Sequence, residues 1–114
     1  MTQEELVQLK KEIKGILDAH DKMDFEAFSK YTKDPNKPEK SVISEEDFKE
    51  AANNLKSKFG ELDSLEFLTV LNKGNSLQSL WKATYLPSKV EICWQIYLLP
   101  KNPNGFKIIG LWYN

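Results

Sequence analysis

The chain has 114 residues, of which 29% are charged and 40% are hydrophobic, and its formal net charge is -1. This length suits one domain with its own core, and the near balance of charges leaves no basic surplus for phosphates, which argues against nucleic acid as a partner. No apolar run approaches the ~20 residues that a membrane span needs. Residues 1–5 are polar, unlike a signal peptide, and Cys93 is the single cysteine, which excludes an internal disulfide. We therefore expect one domain over residues 1–114, without membrane contact and in the cytoplasm unless a leader has been removed.

The N-terminal segment predicts a long amphipathic helix. Thr2 and Glu5 have the spacing of a capping box, which satisfies the free backbone N–H groups of a helix start. Apolar residues then follow at helical spacing, namely Leu6, Leu9, Ile13, Ile16 and Leu17. His20 falls on the same stripe, near the end of the helix. Gly15 lowers the helix propensity of this segment, which indicates that another backbone passes close by.

Two further helices are marked by their caps. Asp24 can cap a short second helix. Its apolar face would consist of Phe25, Phe28 and Tyr31. A surface loop with two prolines is predicted at residues 32–43. Whether it includes a short edge strand at residues 41–43 is not decided by the sequence. Ser44 caps a third helix, and Gly60 ends it as the glycine just past the last turn.

The segment from Asp63 to Tyr113 alternates in side-chain chemistry with a period of two, which is typical of strands with one buried face. Turn sequences at 72–75, 87–88 and 100–105 divide it into four strands. The residues predicted to face inward are odd-numbered before Pro87 and even-numbered after it: Leu65, Phe67, Thr69, Leu71, Leu77, Ser79, Trp81, Ala83, Tyr85, Val90, Ile92, Trp94, Ile96, Leu98, Phe106, Ile108, Gly110 and Trp112. The predicted fold class is α+β, with three helices packed on a curved four-stranded antiparallel meander.

The turn lengths predict two hairpin registers. A two-residue turn after the second strand pairs Trp81 with Trp94. If Leu98 aligns with Phe106 in the last hairpin, Trp94 also lies opposite Gly110. An aromatic ring would then cover a strand glycine, which is a known way to stabilise such a position.

Two segments resemble the NTF2-like (cystatin-like) superfamily of cone-shaped α+β proteins. Residues 17–28, LDAHDKMDFEAF, look like its opening, in which a long helix and an acidic turn lead into a short helix that starts with Asp and an aromatic residue. Residues 59–65, FGELDSL, are similar to a helix-end segment of small uncharacterised bacterial members. The resemblance implies a bent sheet around the first helix, often with a pocket at the open end, and dimers that form through the outer sheet face. It selects no function, because the superfamily includes isomerases, dehydratases, transport factors and members without known activity.

A catalytic role would depend on His20, the single histidine, with Asp24 as its acid–base partner. The isomerases and dehydratases of the superfamily that the chain resembles use an inward Asp or an Asp–His arrangement. The inward strand face predicted here carries no carboxylate. A general base must lie within reach of its proton, so we favour the alternative, a structural His20 that caps the last carbonyl groups of its helix. One His and one Cys far apart match no metal-ligand spacing, and we predict no cofactor.

Aromatic residues on the inward face could line a pocket for a flat apolar ligand. The pocket candidates are Tyr31, Trp81, Trp94 and Trp112. The alternative is that these rings simply fill the core, because each of them buries a large area.

The opposite sheet face is half apolar, and an exposed apolar patch typically marks an interface. The dimer-face candidates are Leu68, Leu80, Cys93, Tyr97, Ile109 and Leu111. Cover by the loop at 32–43 is the competing explanation. The sequence thus predicts a homodimeric module that binds a small apolar molecule or another protein; the alternative is a lyase or isomerase of the ketosteroid-isomerase or dehydratase type acting on an apolar substrate.

Overall fold

The computed structural model describes residues 2–33, 41, 43–100 and 106–114. Three helices come first, α1 (Gln3–Asp21), α2 (Phe25–Tyr31) and α3 (Glu45–Phe59). Four strands follow, β1 (Gly60–Asn72), β2 (Leu77–Pro87), β3 (Glu91–Pro100) and β4 (Phe106–Tyr113). The strands form one antiparallel sheet in the order β1-β2-β3-β4, which confirms the predicted meander and the α+β class.

The predicted surface loop is described only at its ends. Lys33 and Ser41 form an isolated antiparallel bridge, and the Ser41 hydroxyl lies 2.6 Å from that of Thr32. Residues 34–40 and 42 lie outside the described residues, as do residues 101–105 of the last predicted turn. The edge strand at residues 41–43 therefore stays a prediction.

The helices start where the sequence places their caps. At α1 the Thr2 hydroxyl accepts the Glu5 N–H, and the Glu5 carboxylate accepts the Thr2 N–H, both at 3.1 Å. At α2 the Asp24 carboxylate accepts the Ala27 N–H at 3.2 Å, and at α3 the Ser44 hydroxyl accepts a backbone N–H of the first turn at 3.1 Å. Each cap satisfies a donor that the helix itself leaves free, which is worth ~1 kcal/mol.

Gly15 makes room for a side chain rather than for another backbone, which corrects the sequence-based interpretation. A Cβ atom at this position would lie 2.7 Å from the Tyr31 hydroxyl oxygen. The Tyr31 ring of α2 therefore packs across α1, although 39% of the residue stays exposed.

The central hairpin has the predicted register. Trp81 of β2 pairs with Trp94 of β3, and the two residues are only 2% and 3% exposed. Both buried indole N–H groups have partners, as such groups usually do: Trp81 donates to the Ser79 hydroxyl at 2.8 Å, and Trp94 donates to the Tyr85 hydroxyl at 3.1 Å. Apart from Leu77, which is half-buried at the start of β2, the inward residues of the two strands are buried: Ser79, Trp81, Ala83, Tyr85, Ile92, Trp94, Ile96 and Leu98. The prediction that β2 and β3 share one inward face is thus confirmed, except that Val90 is 36% exposed in the turn before β3.

β1 follows the predicted alternation only as far as Phe67. Its pairing with β2 shifts near its start and again between Phe67 and Thr69. An extra residue at such a bulge moves the following side chains to the opposite face and bends the strand. Val70 therefore packs on the core, whereas Thr69 and Leu71 face outward, which is the reverse of the prediction. Leu71 is 41% exposed.

The last hairpin differs from the predicted register. Leu98 pairs with Ile108, two residues beyond its predicted partner, and Tyr97 pairs with Gly110. The Tyr97 ring covers the glycine, because its Cδ2 atom would lie 3.7 Å from a Cβ at that position. An aromatic residue thus does cover the strand glycine, but the residue is Tyr97 on the outer face rather than Trp94.

This shift leaves Ile109 as an extra residue in β4 and reverses the side chains that follow it. Leu111 and Tyr113 pack against the core. Trp112 lies across from Gln95 on the outer face and is 65% exposed. The predictions that Trp112 faces inward and that Leu111 faces outward are therefore wrong.

The core lies between the inward sheet face and the helices. Its fully buried helical side chains are Leu9, Ile13, Ile16, Leu17, Phe28, Phe48 and Leu55. Each buried apolar side chain of this size contributes roughly 1.5–3 kcal/mol. Among the described residues, none of the helices has both the length and the apolar character to cross a membrane.

Candidate ligand-binding cavity

A cavity of about 400 Å³ opens where the end of α1, the start of α3 and strand β4 meet. Its lining residues are His20, Phe28, Ile43, Asp47, Phe48, Ala51, Trp94, Ile109, Gly110, Leu111, Trp112 and Tyr113. Small-molecule sites typically enclose ~300–1,000 Å³ and combine an apolar lining with a few polar groups. Both the size and the lining of this cavity fit that description.

His20 lies on the last turn of α1, is 6% exposed and contributes to the cavity lining. Its ring centroid is 5.2 Å from that of Trp94, 5.5 Å from that of Phe48 and 6.2 Å from that of Phe28. Burial lowers the pKa of His20 from 6.5 to about 4, although the negative charge of Asp21 opposes this shift. The imidazole is therefore neutral at neutral pH, with one N–H donor and one acceptor nitrogen.

The imidazole does not cap α1, because backbone groups fill that role. The last carbonyls of the helix accept the N–H groups of Lys22, Met23 and Asp24 at 2.9–3.2 Å. No described residue hydrogen-bonds the imidazole, and none of the described side-chain nitrogens is sealed from solvent without a partner. His20 contributes to the cavity lining, where a ligand could contact its imidazole.

The carboxylates next to His20 in sequence are engaged elsewhere. Asp24 caps α2 through the Ala27 N–H, and the Asp21 carboxylate accepts the Leu62 N–H at 2.9 Å. The structure therefore does not bring Asp24 to His20 as an acid–base pair, and such catalysis requires that geometry first. No group of three or more His, Cys, Asp or Glu side chains that could hold a metal ion exists within the described parts of the chain.

The structure divides the four predicted pocket residues between different places. Trp94 lines the cavity beside His20, and Trp112 contributes to its rim in spite of its outward direction. Trp81 instead borders a separate groove between α1 and β1, where its ring contacts Phe67 at a centroid distance of 5.0 Å. Tyr31 packs on α1 and is absent from the cavity lining.

Nine of the twelve lining residues were not catalytic or pocket candidates in the sequence analysis, and Asp47, Phe48 and Tyr113 show why. Phe48 belongs to the apolar stripe of α3, and its ring lies 4.5 Å from that of Phe28, so helical spacing gave a usable signal. Asp47 was visible only as an acidic residue in a first helical turn. Strict alternation along β4 places Tyr113 on the outer face, and only the bulge at Ile109 turns its side chain inward.

The outer sheet face is mixed rather than uniformly apolar. Lys82 lies between Glu66 and Glu91, with its Nζ atom 3.1 Å from a carboxylate oxygen of each. Gln78 is only 7% exposed there, and its amide nitrogen donates to Gln95 at 3.1 Å and to the Tyr97 hydroxyl at 3.0 Å. Because these side chains are largely exposed to solvent, their ion pairs contribute little to stability.

The predicted dimer-face residues do not all share this face. Leu80, Cys93 and Tyr97 lie on it and are half-buried, and Leu68 is 48% exposed at the second β1 bulge. Ile109 lines the cavity, and Leu111 points to the core. The outer apolar patch is therefore defined by Leu68, Leu71 and Leu80. Its role in dimerisation stays a prediction.

Comparison with solved structures identifies the fold. The chain matches an NTF-2 like protein of unknown function from Silicibacter pomeroyi DSS-3 with a TM-score of 0.61 and 12% sequence identity, over 100% of this chain and 98% of the other. The three helices and four-stranded antiparallel sheet thus form an NTF2-like fold, as the sequence resemblance implied. At this identity the likeness extends to the fold alone.

A second match is Bd1075 of Bdellovibrio bacteriovorus, with a TM-score of 0.53 and 16% identity. It covers 94% of this chain but only 40% of that one, so the present chain spans less than half of that protein's length. No family model and no curated protein matches the sequence.

Proposed function

We propose that this protein is a binding module for a small, flat, apolar molecule that carries one hydrogen-bonding group. The observation that supports this most directly is a neutral imidazole set among aromatic rings at an open cavity of about 400 Å³. The apolar lining would supply affinity through burial of the ligand body. His20 would supply selectivity, because it offers the ligand a donor or an acceptor in a poorly solvated place.

The alternative of a lyase or isomerase has weaker support. Proton transfer needs a base and commonly a group that orients it, and Asp24 is committed to the α2 cap. The lining carboxylate, Asp47, lies on an exposed turn of α3. Binding without chemistry requires only the cavity and the buried imidazole of His20.

A matched pair of probes tests the proposal. We expect naphthylmethanol to bind roughly fivefold more tightly than methylnaphthalene by isothermal titration calorimetry at neutral pH, because only the alcohol can hydrogen-bond His20. In His20→Phe the apolar lining persists and the partner is lost. The two probes should then bind equally well.

Tyr31→Phe is the matched control, since this ring is outside the cavity and loses only a hydroxyl. It should keep the preference for the alcohol. The proposal fails if neither probe binds wild-type protein at concentrations up to about millimolar, a level where even weak ligands register.

Self-association through the outer apolar patch is a second proposal, and exposed leucines favour it. Leu68 and Leu71 are 48% and 41% exposed on the sheet. Large exposed apolar residues that cluster typically mark an interface, and a second copy of the sheet would cover them. The Glu66–Lys82–Glu91 ion pairs beside the patch would supply a polar rim.

We expect sedimentation velocity to show a dimer that Leu71→Glu converts to monomer, because each subunit would bring a buried charge to the symmetric interface. Val7→Glu is the control, since Val7 is 63% exposed on α1, outside the sheet. A wild-type monomer, or a Leu71→Glu protein of unchanged mass, would end this proposal.

A further inference from the structure

We propose that the ligand of this cavity is a cation, a protonated or quaternary amine on an apolar body, an inference that rests on the proposed function. The charge at the cavity favours such a ligand. Among the described lining residues, Asp47 carries the one charged side chain. His20 adds no charge near neutral pH, because its burial keeps it unprotonated.

The Asp47 carboxylate is available to a ligand. Its own backbone N–H is used in the cap of α3, where it donates to Ser44 at 3.1 Å. The lysine of the same helical turn, Lys49, pairs with Glu45 at 3.2 Å instead. Among the described residues no cation lies within ion-pair distance of Asp47, so no described ion pair competes with a ligand for its charge.

The aromatic lining adds a second attraction of the same sign. The lining rings are Phe28, Phe48, Trp94, Trp112 and Tyr113. Aromatic faces attract cations, tryptophan most strongly, and the usual contribution is ~0.5–2 kcal/mol, or roughly two- to thirtyfold in affinity. The same ring faces and the carboxylate would repel an anion. The described lining residues include no Lys or Arg that could pair with one.

Three probes with one ring system isolate the effect of charge. Naphthylmethylamine is a cation at neutral pH, naphthylmethanol is neutral and naphthylacetate is an anion. We expect calorimetry at low ionic strength to give the order cation, alcohol, anion, with the cation roughly five- to tenfold tighter than the alcohol. Added salt should reduce this preference, because the rim of the cavity is open to solvent.

Asp47→Asn should remove most of the cation preference while the affinity for the neutral alcohol stays within about twofold. Glu46→Gln is the matched control, since it removes the same charge from the same turn of α3 at a residue outside the lining. It should leave the preference intact.

The outcomes separate the two proposals. If no probe binds, the proposed binding function fails and this inference falls with it. If the alcohol binds as tightly as the amine, or if Glu46→Gln lowers the preference as much as Asp47→Asn does, the binding function stands and the cationic ligand is refuted.

Discussion

Gly60→Ala is expected to lower the free energy of unfolding by about 4 kcal/mol or more, the largest effect expected for an alanine at any of the described glycines. Gly60 joins α3 to β1 with a φ of 99°, in a region that L side chains rarely adopt. A Cβ atom there would also overlap the Leu86 carbonyl oxygen of the neighbouring strand. Backbone strain and a backbone clash thus act together at the junction between the helices and the sheet.

Gly74→Ala separates the two causes. Gly74 also has a positive φ, 88°, but a Cβ there would meet nothing within 4 Å. This variant should lose only the strain component, about 1 kcal/mol. Urea denaturation followed by circular dichroism measures both. Equal losses in the two variants would show that the contact with Leu86 contributes nothing.

The second large effect is an acid destabilisation caused by His20. The folded state holds the pKa of this residue at about 4, below its ordinary 6.5, because burial disfavours the charged ring. As the pH falls from about 6.5 to about 4, His20 becomes protonated in the unfolded chain but stays neutral in the folded chain. The free energy of unfolding therefore decreases over this window. The loss is ~1.4 kcal/mol per pH unit at most and ~3 kcal/mol in total. Above about pH 6.5 the full stability is present.

Carboxylates also titrate near the lower end of this window, so a comparison of variants is needed. His20→Phe keeps an aromatic ring at the site and cannot take up a proton. Its free energy of unfolding should fall by ~3 kcal/mol less than that of wild-type protein between about pH 7 and about pH 4. Parallel curves for the two proteins would mean that His20 is solvated and titrates normally.

The sequence predicted the helices and the central hairpin well because local chemistry determines them. Thr2, Asp24 and Ser44 cap the helices that they were expected to cap. Trp81 and Trp94 pair in the predicted register, and both are buried. The caps depend on neighbours within a few residues and the hairpin register on a short connection, so spacing along the chain was sufficient to predict both.

The edge strands were predicted less well, since a bulge shifts the alternation and leaves no clear mark in composition. In β1 the shift after Phe67 moved Val70 to the core, and in β4 the extra residue Ile109 exchanged the faces of Leu111 and Trp112. One inserted residue reverses every side chain that follows it. The directions predicted for Leu111 and Trp112 were wrong for this single reason.

The candidate site shows the same division. His20 and Trp94 were identified from sequence, and the structure places their rings 5.2 Å apart beside one cavity. Asp47 was missed because its role depends on how α3 sits against the end of α1, a long-range contact that no local pattern encodes. Asp24, the nearer carboxylate in sequence, is instead held by the α2 cap.

The imidazole signal of His20 in a nuclear magnetic resonance spectrum reports directly whether this ring is neutral and contacts the ligand. The chain has a single histidine, so the signal needs no assignment. We predict that the signal titrates near pH 4 rather than near 6.5 and shifts when naphthylmethylamine or naphthylmethanol is added at neutral pH. A titration near 6.5 with no response to either probe would show that His20 is solvated and does not contact the ligand.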